Sequence, residues 1–313
     1  MKKSADAPHI PVLFTQVLDL LAPRPGQVIV DCTVGCAGHA AALLERLAPE
    51  SAGGRLIGLD LDTASLALAR PVLQRVRGRT GARFDLFHTN FAGLPTVLAE
   101  AGIHGGRVDA VLADIGVASM QIDDPSRGFS YRKPGPLDMR MDPTRGEPAS
   151  ALLARISESD LAEAILVLGD ETEAPKIARL IVQRRAIAPI ETTAALMAIV
   201  CAARDFTLAR AAHAKLHPAA RTFQALRILV NHELDNLDRL LTNLPDILKP
   251  GGIAAIITFH SGEDRRVKHA FRDCYRAGIY SAENRDPIIA DEFEQHANPR
   301  ARSAKLRWAR RAQ

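Results

Sequence analysis

The chain has little cysteine, no long apolar run and little net charge. Its four cysteines, Cys32, Cys36, Cys201 and Cys274, are too few and too scattered over 313 residues for a disulfide framework. Cys32 and Cys36 have neither metal-ligand spacing nor a downstream His/Cys pair at zinc-finger distances. They read as reduced thiols, so a cytoplasmic location is expected. No stretch approaches the roughly 18 uninterrupted apolar residues of a membrane span. The polar start Met1-Lys-Lys-Ser-Ala-Asp6 contains no apolar signal core, so neither membrane attachment nor export is expected. What is present is enough for a core: 47% hydrophobic and 24% charged residues exclude disorder and a coiled coil. The length allows one large domain or two small ones. The formal charge of +4 is modest for this length. The basic residues are mostly arginine, which suits bidentate phosphate contact, but an ordinary Arg-rich surface accounts for the charge equally well.

Short apolar runs alternate with helical patterns. Residues 27–32 end in Asp31 and pass through a glycine-containing turn into an Ala/Leu-rich helix that reaches Leu47. Further runs at 55–59, 83–89 and 108–113 end at Asp60, Asn90-Phe91 and Asp114. This alternation predicts a parallel, doubly wound sheet. Residues 121–146 are rich in Asp, Arg, Gly and Pro and read as a long loop kept for function or as disorder. Helical patterns follow at 150–168, 173–185 and 191–203. They predict an all-helical insert over 146–215, a candidate substrate-recognition domain, within a discontinuous α/β domain of 1–145 and 216–313. Phe223, Leu226, Val230, Leu234, Leu237 and Leu241 recur at steps of three and four, which predicts one amphipathic helix lying on the sheet and stopping over Pro245–Pro250. Residues 253–259 read as a buried strand, 281–302 as loop, and 304–308 as a last strand.

Ligands of open parallel sheets sit outside the carboxyl ends of the strands. Those ends are polar here: Asp31, the turn Gly35-Cys-Ala-Gly-His39, Asp60, Phe91 and Asp114. A dinucleotide fold calls for G-x-G-x-x-G, and counting from Gly35 the second and third glycine positions hold Ala37 and Ala40. S-adenosylmethionine has no phosphate, and its sulfonium suits a mouth lined by Asp31, Asp60 and Asp114, so it is the favoured cofactor. A tight strand-to-helix turn in some other α/β enzyme is the bland alternative. Phe91 fits a core aromatic as well as a ligand contact, and His39 fits a solvent-facing residue of the first helical turn.

Several motifs occur in one order along nearly the whole chain: His9-Ile-Pro-Val-Leu13, the Gly35–His39 turn, Asp114-Ile-Gly-Val-Ala-Ser-Met-Gln121, Arg127-Gly-Phe-Ser130, Gly135-Pro-Leu-Asp-Met-Arg-Met-Asp142, His217-Pro-Ala-Ala-Arg-Thr-Phe-Gln-Ala-Leu-Arg227, Phe259-His-Ser-Gly-Glu-Asp-Arg265 and Asn298-Pro-Arg-Ala-Arg-Ser303. Together they resemble the MraW (RsmH) methylase family. The resemblance implies a class I S-adenosylmethionine-dependent methyltransferase fold, Rossmann-like with a mostly parallel sheet and a helical insert. It implies N4-methylation of a cytosine in the decoding region of 16S rRNA within the small ribosomal subunit. The implied cofactor residues are Gly35, Ala37, Gly38, His39, Asp60, Phe91, Asp114 and Gln121.

Exocyclic amine methylation needs positioning and an acceptor for the amino protons, because the cytosine N4 lone pair is delocalised into the ring. Asp114 is the candidate for that acceptor. Arg127, Asp138 and Arg140 on the long loop, and His260 and Ser261 after the fifth main strand, are candidates for substrate contact. Pairing of Asp138 with Arg140, and helix capping by Ser261, are the structural alternatives. Arg300, Arg302, Arg307, Arg310 and Arg311 suit phosphate contact or a solvated basic tail. The chain departs from the family pattern at Ala37, Ala118 and Gly262. A methyl at 37 is expected to crowd the cofactor if φ is positive and to be tolerated if φ is negative. The rival functions are a methyltransferase for DNA or another RNA, and a cofactor-binding protein that docks on the ribosome without catalysis.

Overall fold

The computed structural model describes residues 11–313; His9 and Ile10 of the first motif lie outside the described residues. The strands are β1 (Val28–Asp31), β2 (Arg55–Asp60), β3 (Arg83–His88), β4 (Val108–Asp114), β5 (Leu248–Thr258), β6 (Tyr280–Glu283), β7 (Ile288–Ile289) and β8 (Lys305–Arg311). They form one sheet in the order β3-β2-β1-β4-β5-β8-β6, with β7 pairing β8 off that path. The first five pair in parallel, while β8 runs antiparallel to β5, β6 and β7. The sheet is therefore mostly parallel and Rossmann-like, as expected.

Alternate residues of the central strands feed two separate cores, as the two-residue strand period requires. Ile29, Leu56, Leu112 and Ile257 pack with the helices Phe14–Leu21, Gly38–Arg46 and Thr63–Thr80. Val30, Ile57, Val111 and Ile256 pack with Leu94–Glu100, Glu233–Ile247 and Ser261–Arg276. Burial on both faces explains why these strands read as continuous apolar runs. The order β3-β2-β1-β4 also leaves the chain reversing direction between β1 and β4, where the ends carry Asp31 and Asp114.

The chain divides into two compact units, the described residues up to Gly116 with Leu234–Gln313, and Val117–Glu233. The second is wider than the 146–215 span anticipated from composition. Phe129, Leu137 and Met139 of the presumed loop are buried with Leu161, Ile177, Leu196 and Leu226 of its helices. Backbone bonds tie the same segment down: Leu137 N–H donates to Glu191 O at 2.8 Å and Ala149 N–H to Asp138 O at 2.7 Å. The segment also contains a short helix at Ser119–Asp123.

Two further expectations are corrected. The amphipathic pattern of 223–241 is two helices, Ala220–Asn231 and Glu233–Ile247, separated by His232 at φ 50°. Phe223 and Leu226 belong to the core of the helical unit, whereas Leu237 and Leu241 lie on the sheet. The second helix ends at Ile247, within the stop expected over Pro245–Pro250. Finally, 281–302 is not loop: it contains part of β6, β7 and a helix at Glu292–Ala297, and Glu294 Oε1 accepts the Leu13 N–H at 2.6 Å.

Candidate active site

The turn after β1 is built around one close approach and one left-handed residue. Gly38 faces Pro11 so tightly that a Cβ would stand 2.3 Å from the Pro11 Cγ, so no side chain fits there. Ala37 precedes it at φ 66°, the left-handed region that costs an L-residue about 1–2 kcal/mol. Its methyl is fully buried in the apolar cluster around Val34 and Ala40. The positive φ that was feared is thus real, but the methyl it positions is spent on core packing. His39 is not solvent-facing: it is 6% exposed, stacks on Phe14 with ring centroids 5.9 Å apart, and holds Nε2 3.2 Å from Val12 O.

The carboxylates at the strand ends are braced by backbone and hydroxyl groups. Asp60 accepts from Gly35 N–H and Asp62 N–H, both at 2.8 Å, so it fixes the β1 turn as well as the end of β2. Burial nevertheless raises its pKa above the ordinary carboxylate value, against the lowering effect of those bonds. Asp31 accepts from Thr33 N–H at 3.0 Å, and Thr33 Oγ1 in turn accepts from Asp114 N–H at 2.7 Å. Thr33, which sequence reasoning missed, therefore ties the ends of β1 and β4 together. An isolated threonine two residues after a strand-end acid carried no signal beyond that position.

Asp114 is the group least provided for. Its Oδ1 is buried with no hydrogen-bond partner among the described residues, and its Oδ2 faces His39 Nδ1 at 3.9 Å, beyond hydrogen-bond reach. Burial, then the nearby Asp31 and Glu263, push its pKa up to about 8. Burial also pushes Asp31 up to about 7, with Asp60 adding to the rise. Phe91 is half-buried in a short 3-10 turn, packed at the edge of the second core, with its backbone set by the Asn90 side chain accepting from Ala92 N–H.

His260, not Ser261, caps the helix Ser261–Arg276: its ring accepts from Glu263 N–H, and Glu263 reciprocates toward the backbone of the cap. Ser261 is exposed in the first turn. Glu263, which the sequence placed beside His260 and Ser261 as a substrate contact or part of the cap, is 2% exposed and serves the cap. Among the C-terminal arginines, Arg307 is 3% exposed and pairs with Asp264 at 2.6 Å, and Arg311 donates to the carbonyls of Pro245 and Ile279. These two hold the fold, which corrects their reading as a phosphate-binding tail.

The second unit holds Gln121, Arg127, Asp138 and Arg140. Gln121 is buried and its Oε1 accepts from Ala118 N–H at 3.0 Å. Arg140 grips Asp138 side-on, with Nε to Oδ1 at 2.8 Å and Nη2 to Oδ2 at 2.7 Å. Arg127 donates to the carbonyls of Arg140 and Met141. The pairing alternative for Asp138 and Arg140 is thus realised, and all three side chains brace their own segment.

An acid-lined mouth of this kind suits a cationic, phosphate-free cofactor. Asp60 keeps carboxylate lone pairs beyond the two it spends on backbone groups, and the orphaned Asp114 Oδ1 awaits a donor. The donor set fits S-adenosylmethionine. Among the described residues, no helix is long and apolar enough to cross a membrane.

Comparison with known proteins agrees. The chain is 46% identical to a ribosomal RNA small subunit methyltransferase H of Nitratidesulfovibrio vulgaris, over 97% of this chain and 85% of that protein. It is 45% identical to the protein of the same name from Sorangium cellulosum, over 97% and 90%. The corresponding protein of Halorhodospira halophila is 46% identical, over 97% and 94%. The model of the MraW methylase family matches residues 6–312, and the chain belongs to that family.

Proposed function

We propose that the protein methylates the small-subunit ribosomal RNA, on N4 of a cytidine in the decoding region of 16S rRNA, and that it acts on the small ribosomal subunit. The methyl donor of this methylase is S-adenosylmethionine, which supplies an electrophilic methyl group on a sulfonium. Gly35, Ala37, Gly38 and His39 would form its turn, Asp60 would take the ribose hydroxyls, Phe91 would lie beside the adenine, and Asp114 and Gln121 would complete the site. The names of the relatives support the RNA substrate.

The observation that carries the chemistry is the buried, unpartnered Asp114 Oδ1. An acceptor at that point would hydrogen-bond the amino group, localise its lone pair for attack, and receive the proton lost as the new N–C bond forms. A carboxyl raised to about 8 is matched to that task near neutral pH, since it binds a proton readily and still ionises in part. The ionised form is the acceptor, so kcat/KM is expected to rise with pH and level off above about 8. A base stacked in a helix cannot reach a strand-end site, so the target cytidine enters single-stranded or extruded. His260 and Ser261 would face the base. Arg127, Asp138 and Arg140 would serve the substrate indirectly, by fixing the 121–146 segment, and the helical unit would take part in substrate recognition.

The test is transfer of labelled methyl from S-adenosylmethionine to small subunits from a strain lacking this gene, with naked rRNA and DNA in parallel and mass mapping of the product. N4-methylated cytidine formed on subunits is the expected result. Label on DNA or on another RNA would move the substrate assignment. Cofactor binding without transfer to any of the three would leave a docking protein.

A further inference from the structure

Glu263 lies in the first turn of Ser261–Arg276, buried, with its carboxylate folded back on the turn that leads out of β5. Its Oε2 accepts from Phe259 N–H at 2.8 Å and from His260 N–H at 3.2 Å, and its Oε1 stands 3.1 Å from His260 Nε2. That turn presents the Phe259 ring to Gly116. A Cβ on Gly116 would stand 3.0 Å from the ring Cδ2, and its φ of 138° is one that L-residues rarely adopt. Gly116 is two residues beyond Asp114. Between them, Ile115 N–H donates to Ile257 O at 3.0 Å, while on the other side Thr33 Oγ1 accepts the Asp114 N–H at 2.7 Å. The Asp114 backbone is therefore clamped from β1 and from β5, and the β5 side of the clamp ends in the turn that Glu263 closes.

We propose that Glu263 is a positioning residue for Asp114: it locks the Phe259 turn against Gly116 and sets a second acidic group within electrostatic reach of the carboxyl that receives the amino proton. The inference rests on the role given to Asp114 above. The groups facing Asp114 are Asp31 from β1, His39 Nδ1 from the helix after β1, and Glu263 from the helix after β5. Two of the three are acidic. Burial acts first in making Asp114 hold its proton, and Asp31 and Glu263 both add to it. Protonation of Asp114 relieves that repulsion, so the arrangement favours the step in which the N–H bond of the substrate breaks and an O–H bond forms on Asp114.

The test is a carbon-13 NMR titration of the aspartate carboxyls in the full-length protein, with Asp114 assigned through Asp114→Asn, alongside the pH profile of methyl transfer. In Glu263→Gln the Asp114 midpoint is expected to fall, and the rising limb of kcat/KM to move down with it. Glu263→Asp keeps an acidic group but loses its reach; its midpoint should fall less than in the Gln variant, with kcat lower by roughly tenfold or more. A Glu263→Gln protein whose midpoint and limb stay at their wild-type positions would overturn the proposal, whatever its rate. Should that variant not fold, Glu263→Asp decides: an unmoved midpoint with wild-type kcat would overturn it equally. The titration needs no substrate, so failure of the Asp114 assignment would show separately, as methyl transfer that survives Asp114→Asn.

Discussion

Two groups of aspartates in this chain receive opposite treatment. Asp264 and Asp138 are each gripped by an arginine, Arg307 and Arg140, and although burial acts to raise them, those bonds hold both carboxyls below the ordinary range. Asp31 and Asp114, at the ends of β1 and β4, have no arginine or lysine paired with them among the described residues, and burial carries them up to about 7 and about 8. The first pair is consumed by the architecture. In the second, Asp31 is held by the Thr33 N–H and the Asp114 Oδ1 has no partner among the described residues, which leaves charge and proton available to a ligand. In a protein with about forty basic residues to choose from, the withholding of arginine from the strand ends is what distinguishes a site from a brace.

The contrast can be broken most sharply at Asp114. Asp114→Asn is expected to lower kcat by about a hundredfold to ten-thousandfold with the fold intact, measured by labelled methyl transfer. If the rate survived, the strand-end acids would be no more than another set of braces. Next in size, Asp264→Asn strands the buried Arg307 guanidinium and is expected to cost about 3 kcal/mol in urea unfolding, with the remaining activity at permissive temperature little changed.

A smaller effect follows from linkage. Asp31 and Asp114 bind protons more tightly folded than unfolded, so their contribution to stability is greatest at low pH and declines as pH rises from about 4 through about 8. Asp31→Asn should flatten that decline and raise the melting temperature by a few degrees above pH 8, followed calorimetrically. Asp138 and Asp264 have the opposite sign, their contribution being lost as pH falls through their lowered values. The smallest change is Ala37→Gly, which relieves the left-handed alanine and should stabilise the protein by about 1 kcal/mol, less what the lost methyl burial removes. Cofactor affinity from isothermal titration should be unaltered, because the methyl is buried in the core.

Much of this was legible in the residues. Apolar runs ending in Asp31, Asp60 and Asp114 announced both the parallel strands and the ligand-facing edge, because burial on two faces leaves no alternation and the ends alone can be polar. What escaped was set by tertiary context. The positive φ at Ala37 is set by the path of the turn between β1 and its helix, which the residue type does not reveal. The break at His232 interrupts an apolar period that runs on unchanged through it. Glu263 read as one of several acids at a helix start, and only the fold of the turn turns its carboxylate back toward Phe259. Asp138 and Arg140 were readable as a pair from their spacing, whereas Arg307 and Asp264 meet across forty-three positions and were not.

The left-handed residue His232 has a consequence for how the molecule comes apart. A continuous helix shares its hydrogen-bond ladder, so fraying at one point spreads to its neighbours. Here the ladder is interrupted at a single residue, with Ala220–Asn231 anchored in one core and Glu233–Ile247 in another. Hydrogen exchange should therefore find two cooperative openings that meet at the break: protection before His232 follows the melting of the helical unit, and protection beyond the first turn of Glu233–Ile247 follows the sheet.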